Sequence, residues 1–326
     1  MNTETLDQPI VADVAVSAPA VVIESAAPAV AAVAEGPNPF IALGLDGALV
    51  RAVSDLGYTQ PTEVQAKVIP LAMGSGKADE ASIDLMVSSQ TGSGKTAAFL
   101  LPVLNTLIAQ KAIEAAAEQA EFERQRAQAA ASGEAAPKRA KRKNPMQSRN
   151  FKAAVPGALV LCPTRELAQQ VAQDAIELVK HCKNLRVANV VGGMPYQLQI
   201  AKLQNADLVV ATPGRLLDLQ RSLQIKLDKV QFLVVDEADR MLDLGFADDL
   251  EEVHQMTAQR KQTMMFSATF APRIQQLAMR VMHDGGANVQ KITIATPQQG
   301  HDNIQQKLYW ADHAQHKRKL LDHWLR

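Results

Sequence analysis

Cysteine is scarce in this sequence: Cys162 and Cys182 are the only 2 among 326 residues. Two thiols cannot build a disulfide framework, and a chain of this length with 47% apolar residues buries enough surface to do without one, as proteins of reducing compartments do. Both are read as buried thiols. A surplus of charge is missing too, with 34 Lys and Arg against 34 Asp and Glu. That excludes a globally basic protein, so any contact with a polyanion has to come from a local patch. A membrane segment is also absent from this reading. The apolar stretch from Val11 to Ala34 is broken by Asp13, Pro19, Glu24 and Pro28, no basic residue precedes it, and nothing else reads as a span. The expectations are no membrane association and a cytoplasmic location.

Residues 1–39 are rich in Ala, Val and Pro, carry Glu4, Asp7, Asp13, Glu24 and Glu35 but no Lys or Arg, and keep no sustained period, which predicts a disordered acidic tail. Residues 40–300 alternate short apolar runs with helical patterns. Strands are expected near Asp84–Ser88, Ala158–Cys162, Val187–Val191, Asp207–Val210, Phe232–Val235 and Thr263–Phe266. They are near-continuous apolar runs, as in strands covered on both faces. The fold class is therefore α/β, a doubly wound parallel sheet flanked by helices. Residues 110–152 read as a flexible insertion. Its Ala/Glu/Arg/Gln-rich helical pattern runs to about Ala131, and a basic run follows with Lys138, Arg139, Lys141, Arg142, Lys143 and Arg149.

Chemistry first shows after the first strand, in Ser89-Gln90-Thr91-Gly92-Ser93-Gly94-Lys95-Thr96, with a helical run from Ala97. Strand, glycine-rich turn and helix is the setting of a phosphate loop. Gly92 and Gly94 let backbone N–H groups curl around phosphate oxygens, the helix N-terminus adds positive potential, Lys95 reaches the β and γ phosphates, and Thr96 offers a hydroxyl to Mg²⁺. The general pattern has Gly at the first position, where this chain has Ser89. A second group of candidates is Asp236-Glu237-Ala238-Asp239, which follows the strand Phe232–Val235 and so falls at the carboxyl edge of the sheet, where open α/β folds bind ligands. Asp236 suits Mg²⁺, and Glu237 suits a base that orients and deprotonates an attacking water.

With this acidic segment the sequence resembles the DEAD-box family of RNA helicases, over residues 40–312. Further stretches carry the resemblance. Gly57-Tyr58-Thr59-Gln60-Pro61-Thr62-Glu63-Val64-Gln65 is similar to the family's adenine-reading element, which implies that the amide of Gln65 pairs with adenine and that Phe40, upstream, stacks on it; Tyr58, Gln60 and Asp239 join the nucleotide contacts. Pro163-Thr164-Arg165-Glu166-Leu167-Ala168, Gly192-Gly193 and Thr212-Pro213-Gly214-Arg215 resemble the elements that grip RNA. Hydroxyls, helix-start amides and arginines there suit phosphate oxygens without regard to base sequence. Read alone, Thr164 and Thr212 are sooner helix caps and Pro213-Gly214 a turn, and both readings can hold, because a helix N-terminus is itself a phosphate site. Ser267-Ala268-Thr269 resembles the motif that couples ATP to duplex separation, which implies hydrogen bonds from its hydroxyls to the Asp236–Asp239 segment.

What the resemblance implies is a RecA-like domain that uses ATP and Mg²⁺ to unwind or remodel RNA; an ATP-gated clamp or annealing scaffold is the alternative. Family members carry a second domain whose arginines stabilise the transferred phosphate. Here Asn303–Asp312 reads as one strand and His313–Arg326 as one helix, expected to be only that domain's opening (301–326). His313, His316 and His323 lack Cys or carboxylate partners at ligand spacing and are not read as a metal site.

Overall fold

The computed structural model describes residues 38–74, 83–132, 152–294 and 310–324. The acidic tail, the basic run at 138–149 and most of the strand expected at 303–312 lie outside them. Among the described residues, seven parallel strands form one sheet: β1 (Leu85–Ser88), β2 (Ala158–Leu161), β3 (Val187–Val190), β4 (Leu208–Ala211), β5 (Phe232–Val235), β6 (Gln262–Ser267) and β7 (Gln290–Thr293), in the order β3-β4-β2-β5-β6-β1-β7. The helices are α1 (Pro39–Ala42), α2 (Gly47–Asp55), α3 (Glu63–Met73), α4 (Lys95–Ser132), α5 (Arg165–Leu178), α6 (Tyr196–Leu203), α7 (Pro213–Arg221), α8 (Ala238–Asp243), α9 (Ala247–Met256), α10 (Pro272–Val281) and α11 (Ala314–Trp324).

The central strands β1, β2, β4, β5 and β6 are buried at every position, and they divide their side chains by the pleat. Leu85, Val87, Ala158, Val160, Phe232, Val234, Met264 and Phe266 enter one core with residues of α1 to α5. Met86, Leu159, Leu161, Leu233, Val235 and Met265 enter a second core with residues of α6 to α10. Both faces are covered, which fixes the register: a slip of one residue would exchange the two faces.

Two expectations change. Strand β7 is not foreseen by the hydrophobic pattern, because of Gln290, Lys291, Ile292 and Thr293 only Ile292 is buried; it is an edge strand held to β1 by its backbone. The segment from Gln110 is not a separate insertion at its start. No Gly or Pro interrupts residues 103–132, so the helix begun at Lys95 runs unbroken for 38 residues. Its first turns are core, with Phe99, Leu100, Leu101 and Leu104 fully buried; Gln110 then exchanges hydrogen bonds with Gln231, and Lys111 pairs with Asp207 at 2.9 Å. By length and composition α4 is the one described helix that could cross a membrane, but its apolar half is this soluble-type core packing against the sheet. Cys162 is buried as expected, whereas Cys182 is only partly so.

Candidate functional site

The carboxyl edge of the sheet sorts the candidate residues by strand order. The loop after β1 carries Ser89 to Thr96, that after β6 Ala268 and Thr269, and that after β5 Asp236 to Asp239; beyond these come Pro163–Arg165 after β2, Thr212–Arg215 after β4 and Gly192–Gly193 after β3. Segments as far apart in sequence as Ser88 and Ala268, 180 residues, are thus next to one another, and the edge divides into an acidic, phosphate-loop half and a half of hydroxyls and arginines.

In the first half, Gly92 (φ 78°) and Gly94 (φ 89°) take the left-handed region that only glycine occupies without strain. Ser89, where the pattern has glycine, closes the loop: its hydroxyl accepts from Ser93 Oγ at 3.1 Å, and its carbonyl accepts from the nearly buried Lys95 Nζ at 3.0 Å. Ser93 Oγ is also placed to donate to the Gln90 carbonyl at 2.8 Å. Gln65 ties a second element to this loop. Its amide oxygen accepts from Thr62 N at 3.0 Å in a capping box that starts α3, while its Nε2 donates to the Gly94 carbonyl at 3.2 Å. A cleft of about 650 Å³ opens here, lined by Tyr58, Thr59, Gln60, Gln65, Thr91, Gly92, Gly94, Lys95, Thr96, Asp236 and Glu237.

Asp236 is 3% exposed, and its Oδ1 accepts from Glu237 N at 3.0 Å. Burial pushes its carboxyl up to about 6; Lys95 opposes the rise, and Glu237 and Asp239 add to it. Well below pH 3.8 the group is neutral folded and unfolded and contributes nothing; as pH rises past 3.8 the unfolded carboxyl ionises freely while the folded one resists, and above about 6 the fold carries the ionised buried carboxylate at full cost. Asp236→Asn is therefore expected to stabilise the ligand-free protein by about 3 kcal/mol at pH 7.5 and by less than about 1 kcal/mol at pH 4. Denaturant melts of both proteins at the two pH values check this; an equal difference at both would refute it. Glu237 takes a left-handed conformation (φ 51°) at the start of α8, with Arg240 donating to its carboxylate at 3.4 Å. A β-carbon residue in that region is strained, and strain of this kind collects at functional sites.

In the second half, Thr164 caps α5, its hydroxyl accepting from Leu167 N at 3.3 Å, while Thr212 stands at the start of α7 with no side-chain cap bond. The capping alternative thus holds for Thr164 and not for Thr212. Pro213 and Gly214 form the first turn of α7. The loop between β3 and α6 is pinned from three neighbours: Arg165 donates to the Gly192 carbonyl at 3.3 Å, Arg215 to that of Met194 at 3.5 Å, and buried Gln199 to those of Val191 and Met194 at 2.7 and 3.2 Å. A Cβ on Gly193 (φ +81°) would lie 2.2 Å from the Arg165 guanidinium, so glycine there leaves room for that arginine.

Two expected placements differ. Phe40 is fully buried in the core and does not line the cleft, because α1 folds it inward with α2; the aromatic that lines the cleft is Tyr58. Ser267 and Thr269 do not hydrogen-bond to the Asp236–Asp239 segment. The Ser267 carbonyl accepts from Ser89 N at 3.2 Å, its hydroxyl accepts from Thr269 N at 3.5 Å, and Ser88 Oγ donates to the Ala268 carbonyl at 3.0 Å, so this strand end is sewn to the phosphate loop. The sequence reading also missed the far wall of the cleft, where α5 presents Leu167, Gln170, Asp174, Glu177 and Leu178. Burial and Glu177 raise the carboxyl of Asp174. The signal was the i, i+4, i+7 spacing of Gln170, Asp174 and Glu177, which is indistinguishable from an ordinary solvated helix face.

A profile of the DEAD/DEAH box helicase family matches residues 62–277. The chain is 39% identical over 288 residues to DEAD-box ATP-dependent RNA helicase 52A of rice (Oryza sativa subsp. japonica), covering 87% of this chain and 42% of that protein. It is 36% identical over 289 residues to ATP-dependent RNA helicase SrmB of Escherichia coli, covering 88% and 54%. The chain thus spans about half the length of the curated relatives it matches. Among solved structures, a DEAD box protein from Methanococcus jannaschii aligns with a TM-score of 0.57 at 31% identity, over 78% of this chain and 55% of that one. A hypothetical ATP-dependent RNA helicase from Sulfolobus tokodaii aligns with a TM-score of 0.56 at 32% identity, over 77% and 57%.

Proposed function

The chain belongs to the DEAD/DEAH box helicase family, and from that membership we propose that it binds ATP in the cleft above Lys95 and a single RNA strand along Arg165, Thr212 and Arg215, as part of an ATP-dependent RNA helicase. The observation that carries the proposal is the sorting of the sheet edge: phosphate loop and carboxylates on β1, β6 and β5 run directly into hydroxyls and arginines on β2, β4 and β3. Lys95, Gly92 and Gly94 hold the phosphates, Tyr58, Gln60 and Gln65 line the base end, and Glu237 is the base for the attacking water.

The oxygen donors Thr96 and Asp236 both line the cleft and suit Mg²⁺, a hard cation. Bound there, Mg²⁺ neutralises phosphate charge. RNA contact falls on backbone phosphates, consistent with a sequence-independent grip.

Equilibrium titrations with a fluorescent ATP analogue and with labelled single-stranded RNA test the proposal. Both ligands are expected to bind, and Gly94→Ala is expected to weaken the nucleotide at least about tenfold while sparing RNA. A Cβ there would meet Gln65 Nε2 at 2.6 Å and Thr62 Oγ1 at 3.0 Å, on a backbone at φ +89°. That conformation alone is unfavourable by about 1–2 kcal/mol with a side chain. Nucleotide binding unchanged by the substitution would place ATP elsewhere.

A further inference from the structure

Tyr196, the first residue of α6, belongs to none of the motifs above. Yet it stands on the second half of the edge and is held there firmly. The guanidinium carbon of Arg215 lies over its ring, 5.8 Å from the centroid, and its hydroxyl is hydrogen-bonded to Ser222 Oγ just past α7. The backbone leading into it is the Gly192–Met194 loop, pinned by Arg165, Gln199 and Arg215. Despite these restraints the residue is 37% exposed. A phenol that only braced Arg215 could do so from a buried position. An exposed ring that is fixed in place, with a cation against it, is a surface on which a nucleobase stacks, and its ordering is complete before the base arrives.

We propose that Tyr196 is a stacking platform for one base of the bound RNA strand. It adds a contact to a base face along an edge whose other contacts go to phosphates. Every base has such a face, so the platform strengthens binding without selecting sequence. This inference rests on the RNA reading of the edge given above.

The test is an anisotropy titration of a fluorescein-labelled oligouridine RNA at several salt concentrations, onto the protein and its Tyr196→Ala, Tyr196→Phe and Arg215→Ala variants. Tyr196→Ala is expected to weaken binding about 5- to 100-fold at fixed salt, and Tyr196→Phe, which keeps the ring, to stay within about twofold of the parent. Loss of a stacked base removes no phosphate contact, so Tyr196→Ala should leave the slope of log affinity against log salt unchanged, whereas Arg215→Ala should flatten it by about 0.7. Equal melting temperatures establish that the variants are folded. Tyr196→Ala binding as tightly as the parent overturns the proposal. So does a flattened slope in Tyr196→Ala, because the ring would then only be positioning Arg215. If Arg215→Ala is also silent, or the parent does not bind, the RNA reading of the edge fails and the platform with it.

Discussion

Glu237→Gln is expected to lower RNA-stimulated ATP hydrolysis by about 10² to 10⁴, the range in which a positioned general base contributes, while nucleotide affinity stays within about twofold. The substitution removes the proton acceptor together with its charge, which also eases the rise in the Asp236 carboxyl, and keeps the shape. Gln and Glu have the same shape, and both place a β-carbon on the left-handed backbone at φ 51°, so the start of α8 keeps its geometry. The Gln side-chain oxygen still accepts from Arg240, which donates to Glu237 at 3.4 Å. The position of Asp236 is kept, since its Oδ1 accepts from the backbone N of residue 237 at 3.0 Å whichever side chain stands there. Phosphate release measured with RNA present, in protein extended to the length of its relatives, gives the rate; analogue titration gives the affinity. A fall in affinity with the turnover number intact would recast Glu237 as a binding residue.

Asp84→Ala is expected to destabilise the fold by about 3–5 kcal/mol, the range for removing one partner of a buried charged network. Asp84 lies at the opposite edge of the sheet from the site, just before β1, and is 4% exposed. Its Oδ1 accepts from Thr263 N at 2.6 Å, its Oδ2 accepts from His283 N at 2.8 Å, and His283 Nδ1 lies 3.0 Å from each oxygen. The network continues through Arg260, whose Nε donates to Thr263 Oγ1 at 2.7 Å and whose NH2 donates to the Val281 carbonyl at 3.1 Å. One carboxylate thus joins the starts of β1 and β6 to the end of α10. Without it two backbone donors lose their acceptor. The melting temperature should fall by roughly 10 °C for a domain of this size. Because the network lies away from the cleft, the folded fraction should bind nucleotide as before. A drop under about 1 kcal/mol would mean that water replaces the carboxylate fully.

The parts of the site that were legible in the sequence are those whose chemistry admits few alternatives. A strand followed by Gly92, Gly94, Lys95 and Thr96 can hardly serve anything but phosphate, and carboxylates at Asp236 and Glu237 directly after a buried strand could be placed on the sheet edge from periodicity alone. Six strands were legible because each is built around a run of apolar residues, although β3, at the sheet edge with Val187 and Asn189 half-buried, is covered less fully than the others. Strand β7 was not, since an edge strand with one buried residue leaves no hydrophobic trace. Phe40 and Tyr58 show a different limit. Composition marks both as aromatic, but which one points into the core and which lines the cleft depends on how α1 packs against α2. The second role of Gln65, as a tie between α3 and the Gly94 carbonyl, was equally hidden, because its partner is a backbone atom 29 residues away.

The backbone of the sheet edge links the two halves in one more respect. Asp236 N donates to the Leu161 carbonyl at 3.0 Å, Cys162 N to that of Ala211 at 2.9 Å, and Thr212 N to that of Val190 at 3.1 Å. These three bonds form a transverse rail beneath the acidic segment and the loops that carry Arg165 and Arg215, each post of which is locked in parallel register. Such a rail transmits force without stretching. A displacement at Asp236 cannot be absorbed by sliding β5 past β2, since that would break the ladder and swap side chains between the two cores. It must either leave through the loops or turn the whole edge as one lever. Amide hydrogens of Asp236, Cys162 and Thr212 should accordingly be among the slowest of the chain to exchange, opening only with the fold itself.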